Sequence, residues 1–505
     1  MNLKKRIQKA KANADNFRSM LEVAYDYVIP EKNGWNQNTR GKEENTHIYD
    51  ETAVNGVVVA SNRMQGALMP PQQKWHSFAS GEQYEEDEAK QLDDALSEAT
   101  DVYYSYFQQS NFDTEINPSL QDCLISTGYI QIDENPLTDE QPFYFTSVPA
   151  YQMAPEKAVK GVIENVHRTI TMELQSVVDT WPKAQLPDGL RDKLSNDPYC
   201  EIEICISQIK EGKEYKLVVS YKNNPIFEEP RDYKFLIPFR ESVNSGDVLG
   251  RGVILRMLPL IRRLNKVEQY TLQNAALNVS GVYTGVTAGG FNPYTARLAP
   301  ASIIPVPTND SNNPTLRALD RAGDVGLGNM LVSEMRDILE KALYINPMGD
   351  ITDPTKTATE QMIRQQEMLR SQGAAIGRLK NELMNPIIKS ITAILKGRGL
   401  LPDFKIGGDE VRIVFQSPLA QAEKLEDFQS LQTYIGFLQG IAQTLPPEMA
   451  AMFMAGTLKI EDIPSKTAKM LGVSSNLIRN KQEIQQIGQA LQGAMQGGED
   501  EQPVQ

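Results

Sequence analysis

The chain is poor in the residues that most often carry chemistry. Its 505 residues include 3 histidines and 3 cysteines. His47, His76 and His167 lie far apart, and none has a ligand-spaced neighbour, so no metal site is expected. Cys123, Cys200 and Cys205 are odd in number and form no C-x-x-C, which points to a reducing compartment rather than a disulfide framework. Cys123 and Cys200 read as small buried apolar residues, not nucleophiles. There is no G-x-x-x-x-G-K-[ST] phosphate loop, no G-x-S-x-G, and no G-x-G-x-x-G following a strand. An ATP-driven motor, a serine hydrolase and a dinucleotide enzyme are thereby disfavoured, and neither an enzyme nor a cofactor is expected. No apolar run reaches the roughly 18 residues of a membrane span. Residues 1–17 are basic but lack the apolar core of a signal peptide, so synthesis and retention in a cytoplasm are expected.

Positive charge is also in short supply. Against 65 acidic residues stand 51 basic ones, a net charge of −14. That balance argues against gripping nucleic acid over a broad basic face, but not against surrounding it without gripping. Carboxylate runs such as Glu85–Glu88 read as solvated helix faces, and no catalytic constellation emerges. Hydrophobic content of 40% and charged content of 23% are ordinary for folded protein, and the length allows about two to four domains.

The most informative stretch runs from Thr357 to Ile388. Thr357 is placed to cap a helix, with Glu360 at capping-box spacing. Ala358, Met362, Leu369, Ile376, Leu379, Leu383 and Ile387 share one face, and Ile391 and Leu395 continue it. Roughly 38 residues at ~1.5 Å each would reach nearly 60 Å, an element suited to a radial assembly around a channel. Pro386 lacks an N–H and crowds the carbonyl of Glu382, so a kink is expected there. Gly373 and Gly377 would admit another backbone.

Upstream, residues 1–29 read as a basic amphipathic helix stopped at Pro30, its cations a solvated face. A second helix carries Ala53, Val57, Ala60, Met64 and Leu68, ends at Pro70-Pro71, and leads into an extended segment around Trp75 and Phe78. A third, with Leu92, Leu96, Ala99, Tyr103 and Phe107 on one side, runs into Ser110-Asn111-Phe112. A fourth, through Leu120 and Leu124, is expected to end at Gly128. Residues 141–240 are strand-rich: Phe143–Val148, Val162–Met172, Cys200–Ile209 and Tyr215–Ser220. Within this region Cys200, Ile202, Ile204 and Ile206 share a face opposite Glu201 and Glu203. From Gly246 a glycine run leads into a helix with Pro259 in its first turn; Arg256, Arg262, Arg263 and Lys266 cluster on one side of it. Residues 278–325 hold short strands among Gly, Pro, Asn and Thr. A further helix follows, with Leu331, Met335, Ile338, Leu339, Ala342 and Leu343 as its buried stripe. A strand is expected at Glu410–Phe415, then helices and a Gly/Gln-rich acidic tail.

Several of these blocks resemble bacteriophage portal proteins, the head-to-tail connectors of short-tailed phages. The carriers are the TATE start at Thr357 and the E-L-x-x-P of Glu382, Leu383 and Pro386. A D-x-T-A … L-x-P pattern (Asp50, Thr52, Ala53, Leu68, Pro70) is followed by Trp75 and Phe78. The SNF at Ser110–Phe112, Gly128, and the strand-to-helix segment from Glu164 to Met172 also match. So does the G-x-x-x-G-R-G … L-P-x-I-x-x-L-N run from Gly246 to Asn265.

The resemblance implies an α+β portal fold. Its parts would be an α/β wing at 1–250, a stem helix at 251–277, a β-containing clip at 278–325 and a second stem helix at 326–345. A tunnel loop at 346–356, a long wing helix with a strand at 357–417, and a helical crown with an acidic tail at 418–505 would follow. It further implies a ring of twelve at one capsid vertex, in the virion at the head–tail junction, after synthesis in a bacterial host. The partners would be double-stranded DNA in transit, terminase, tail adaptor proteins, and major capsid and scaffolding proteins, with no membrane. By position, the loop residues Asn346, Met348, Asp350, Thr352, Asp353 and Lys356 are candidates to reach the DNA; an ordinary helix–helix connection is the other reading. For the stem cations Arg256, Arg262, Arg263 and Lys266, duplex steering and ion pairing between subunits both remain open. A capsid or tail scaffold without a channel is the alternative to a portal.

Overall fold

The computed structural model describes residues 3–35, 45–81, 86–136, 138–157, 161–280, 325–343, 373–402, 411–416 and 431–443, with shorter pieces besides. The chain is α+β and divides into two compact units. The first comprises Met1–Phe17, Ser61–Gly252 and Ile351–Gln505; the second comprises Arg18–Ala60 and Val253–Asp350.

In chain order the elements begin with α1 (Leu3–Val28), α2 (Thr52–Leu68), β1 (His76–Ser80), α3 (Glu86–Gln108) and α4 (Phe112–Ile125). Next come β2 (Thr127–Glu134), β3 (Phe143–Ser147), β4 (Met153–Pro155), β5 (Val166–Glu173), α5 (Leu174–Thr180) and α6 (Asp188–Asn196). Strands β6 (Glu201–Glu211), β7 (Glu214–Tyr221), β8 (Asn224–Arg231) and β9 (Leu236–Arg240) precede α7 (Val253–Ser280). Four short strands follow: β10 (Tyr283–Gly285), β11 (Asn309–Asp310), β12 (Asn313–Pro314) and β13 (Leu316–Ala318). Then come α8 (Val325–Ala342), α9 (residues 373–379), a π-turn at Lys380–Met384, α10 (Asn385–Gly397) and β14 (Val411–Phe415).

The first unit is built on antiparallel sheets, one of three strands (β3-β2-β9) and one of five (β4-β5-β6-β7-β8). The first residues of β6 alternate as the sequence suggests, with Glu201 and Glu203 exposed and Ile202 and Ile204 buried; from Cys205 to Ile209 both faces are covered. Cys123 and Cys205 are buried, whereas Cys200 is only half-buried, because it precedes the strand. Strand β8, which the sequence did not disclose, carries Pro225 and Pro230. It lies at the sheet edge, where a missing N–H is tolerated. Strand β1 pairs with β14 on one side. On its other side α3 satisfies the open edge: Tyr104 accepts from the Trp75 and His76 N–H groups, Thr100 from Phe78 and Asp93 from Ser80. The Trp75–Phe78 segment is thereby fixed on an aromatic core of Tyr103, Phe107, Phe112 and Phe145.

Several signature residues prove to be links between distant parts of this unit. Asn111 of the SNF exchanges two hydrogen bonds with the Phe145 backbone, both 2.8 Å. Helix α4 ends at Ile125, three residues before the expected stop, and Gly128 lies inside β2. The glycine run then lies along the end of α4. The Gly252 N–H bonds the Ile125 carbonyl at 3.0 Å, and a Cβ on Gly252 would stand 2.1 Å from the Leu124 carbonyl oxygen, so only glycine fits. Glu382 of the E-L-x-x-P is buried and takes a two-pronged bond from Arg240 at 2.7 and 3.0 Å. Arg240 also donates to the Val248 and Gly161 carbonyls.

The kink expected at Pro386 takes the form of the π-turn. The Asn385 N–H reaches back five residues to the Lys380 carbonyl, which relieves the crowding a proline imposes on the helix behind it. Along the same helix Ile376, Leu379, Leu383, Ile387, Ile391 and Leu395 are all buried, as their spacing predicts. Among the described residues no atom of another element comes within 4 Å of a Cβ built on Gly373 or Gly377. Thr357, Ala358, Met362 and Leu369 lie outside the described residues, as do most of 278–325 and of 418–505.

Candidate functional site: the α7–α8 helix pair

The second unit places the nominated cations on a long helix. Helix α7 has 28 residues and is therefore roughly 42 Å long. Pro259 is not in its first turn but seven residues in, on the exposed side, where a missing N–H does least harm. Ile254, Leu258, Ile261 and Leu264 are buried. Helix α8 runs antiparallel to it: Gly328 faces Thr271, whose Oγ1 would be 2.6 Å from an added Cβ, and Arg336 reaches Glu268 at 3.5 Å.

Asn265, which ends the L-P-x-I-x-x-L-N run, organises the segment before α2. Its Oδ1 accepts from the Tyr49 and Asp50 N–H groups at 2.7 and 3.2 Å, and its Nδ2 donates to the His47 carbonyl at 2.9 Å. Asp50 is buried; it accepts from the Thr52 N–H at the start of α2 and from Arg336 of α8 at 2.7 Å. Beside these groups lies a cavity of about 410 Å³, rimmed by Glu51, Asn55 and Glu340. Sequence reasoning missed Arg336 altogether, because its partners are 68 and 286 residues away.

The four nominated cations, Arg256, Arg262, Arg263 and Lys266, are all exposed on α7. Lys266 donates to Gln269 at 2.9 Å and sits over the Tyr270 ring. Arg262 and Arg263 make no hydrogen bond or ion pair among the described residues. The expected buried stripe of α8 is only half right. Met335, Leu339 and Leu343 are buried and Ala342 is half-buried, but Leu331 and Ile338 are 40% and 46% exposed, and Val332 is buried instead. The helix is therefore turned so that Leu331 and Ile338 join Leu327 and Met330 on an open face with Glu334 and Asp337. The loop residues Asn346, Met348, Asp350, Thr352, Asp353 and Lys356 lie outside the described residues.

One arrangement in the first unit has the connectivity of a hydrolytic triad. His167 joins Ser207 at 2.8 Å and Glu156 at 3.0 Å, brought together by β4, β5 and β6. Ser207 and His167 are fully buried, and Glu156 is also held by Arg6 at 2.8 and 3.0 Å. Burial opposes the charge on Glu156, but hydrogen bonds from His167 and Arg6, with the Arg6 charge, bring its carboxyl down to about 2. With Ser207 and His167 closed to solvent, the three groups tie α1 to the sheet. A larger cavity of about 990 Å³ in the same unit is bordered by Asp133, Trp181, Arg231 and Arg398. Arg231 and Arg398 are already engaged, by Glu229 and Tyr233 and by the Asn135 and Thr138 carbonyls respectively. Among the described residues no group of three or more His, Cys, Asp or Glu side chains could hold a metal ion, and no helix is long and apolar enough to cross a membrane.

A probable portal protein of Bordetella phage BPP-1 is 21% identical over 492 residues, covering 92% of this chain and 86% of its own length. The portal protein of Salmonella phage epsilon15 is 28% identical over 124 residues, 24% of this chain and 21% of its own. The sequence model of the bacteriophage head to tail connecting proteins matches residues 1–478. The match spans both units, and the chain belongs to that family, the portal proteins of bacteriophages.

Proposed function

We propose that twelve copies of this chain form a ring at one capsid vertex. The ring is the channel for double-stranded DNA during packaging and ejection, and it is the platform for terminase and later for tail adaptor proteins. The observation that carries this reading is the family match over residues 1–478, joined to the order of long helix, short β excursion and long helix in the second unit. In this reading 251–277 and 326–345 are the stem, lying along the channel axis. Residues 278–325 are the clip that meets terminase and adaptor, 346–356 the tunnel loop, 1–250 and 357–417 the wing, and 418–505 the crown. Major capsid and scaffolding proteins contact the ring from outside, and the finished ring resides in the virion after synthesis in the host cytoplasm.

Charge supports the reading. Twelve chains at −14 carry roughly −170, and an acidic conduit repels the phosphate backbone it must let slide. Electron microscopy of the purified protein tests the proposal: rings with a central opening wide enough for duplex DNA are expected. Closed particles or filaments without a channel would point to a structural scaffold instead. Deleting Met348 to Asp353 is expected to leave rings intact while impairing packaging or DNA retention. Loss of rings in that deletion would make the segment a structural connection.

A further inference from the structure

The α7–α8 pair carries two open faces of opposite character. Arg262 and Arg263 stand exposed on α7, Arg262 opposite the α8-facing Thr271 and Arg263 on the flank between, without a partner among the described residues. Glu334 and Asp337 stand on α8 on the side turned away from α7, equally without an ion pair among the described residues. Around the two acids lie Met330, Leu331 and Ile338, which are 64%, 40% and 46% exposed. One helix pair thus offers a basic face on one flank and, on the other, an apolar face where two carboxylates outnumber the exposed Lys341.

The faces also match in height. Thr271 faces Gly328 across the antiparallel pair; Arg263 lies eight residues back from the former and Arg336 eight residues on from the latter. The basic pair and the acidic pair therefore stand at the same level along the helix axes. A head-to-tail contact that repeats by pure rotation closes into a ring, whereas one with a rise along the axis gives an open filament. Complementary patches at one level are what closure requires.

We infer that the occupant of each face is a second copy of this chain: the Arg262–Arg263 face of one subunit seats on the Glu334–Asp337 face of the next. The inference rests on the ring reading above and names the surfaces that make the ring. An exposed ion pair alone contributes little. Here Met330, Leu331 and Ile338 cover the pair and exclude water, which strengthens attraction between the charges. Duplex DNA fits the pair of faces less well, because phosphates would be repelled by Glu334 and Asp337 and would leave the apolar side chains in water.

The test is charge reversal in the full-length chain, read by electron microscopy and sedimentation. Arg262→Glu with Arg263→Glu, and separately Glu334→Lys with Asp337→Lys, are each expected to reduce the ring fraction at least tenfold while leaving the circular dichroism spectrum unchanged. Mixing the two variants in equal amounts should restore rings, since each interface in the mixture again joins opposite charges. Putting all four substitutions in one chain should do the same. Wild-type-like rings from either double variant would overturn the pairing while leaving the ring reading intact, as would failure of both the mixture and the fourfold variant to recover. Normal rings from the arginine variant with altered DNA retention would assign that face to the duplex and likewise overturn the pairing. Absence of rings from the wild type would overturn the ring reading itself, and the pairing with it.

Discussion

The two units of this chain treat their charged groups differently. In the first, ionic side chains are consumed inside the fold: Arg240 meets Glu382, Arg6 meets Glu156, and Arg168 is held by Gln131 and Gln152. In the second, one cluster is consumed in the same way, at Asp50, Arg336 and Asn265, but Arg262, Arg263, Glu334 and Asp337 on α7 and α8 make no ion pair among the described residues, and open apolar side chains lie beside the two acids. On α8, Met330 and Ile338 stand 64% and 46% exposed beside two carboxylates. Under the pairing proposed above, a neighbouring copy covers that face, whereas the ion pairs named in the first unit tie its own elements together.

The sharpest way to break this contrast is to remove one half of a consumed pair. Glu382→Ala strands the Arg240 guanidinium in a site where the arginine side chain is only 2% exposed. Breaking such a pair from one side costs about 3–5 kcal/mol. Urea unfolding should show a loss of that size, and a loss below about 1 kcal/mol would mean the pair is not a strut of the fold.

Acid offers a second, graded route, and it too acts on the first unit. Burial pushes the His76 imidazole down to about 3 from its ordinary 6.5, so the unfolded chain takes up a proton that the folded chain refuses. Stability should therefore fall as the pH drops below about 6.5 and continue to fall towards 3. Glu156, held at about 2 against an ordinary 4.5, adds stability that is complete above 4.5 and is lost as the pH falls through that window. It contributes on the order of 2–3 kcal/mol. In unfolding curves collected between pH 7 and pH 2, His76→Phe should flatten the upper part and Glu156→Gln the lower part. Unchanged slopes in both variants would place the acid sensitivity elsewhere.

The smallest effect on the fold should come from the second unit's open faces. Arg262→Glu with Arg263→Glu should shift the stability of unassembled chain by no more than about 0.5 kcal/mol, because neither side chain has a partner among the described residues. A larger loss would mean the two arginines serve the fold, and the contrast between the units would dissolve.

What could be read in advance followed the reach of each interaction. The stripe from Ile376 to Leu395 was legible because its period is local, and β5 to β7 because alternation is local. The faces of α8 were legible only in part. Leu331, Val332 and Ile338 are all apolar, and which of them is covered depends on where α7 lies. The Arg240–Glu382 and Glu156–His167–Ser207 links were invisible, since their members meet only after strands distant in sequence have paired. Of the nominated site, the exposure of Arg256, Arg262, Arg263 and Lys266 agrees with the spacing that put them on one side of α7, while their likely-looking neighbour Pro259 sat deeper than capping rules suggested.

The π-turn before α10 has a consequence for how this helix keeps count. A π-turn holds one residue more than the α-helical turn it replaces. Removing one residue from Lys380–Met384 would convert the wide turn to an ordinary one and leave Ile388 and Leu395, both fully closed to solvent, on the face they now occupy. The wide turn thus absorbs a surplus residue: Glu382 faces Arg240 and, a few residues later, the isoleucines of α10 still face the core.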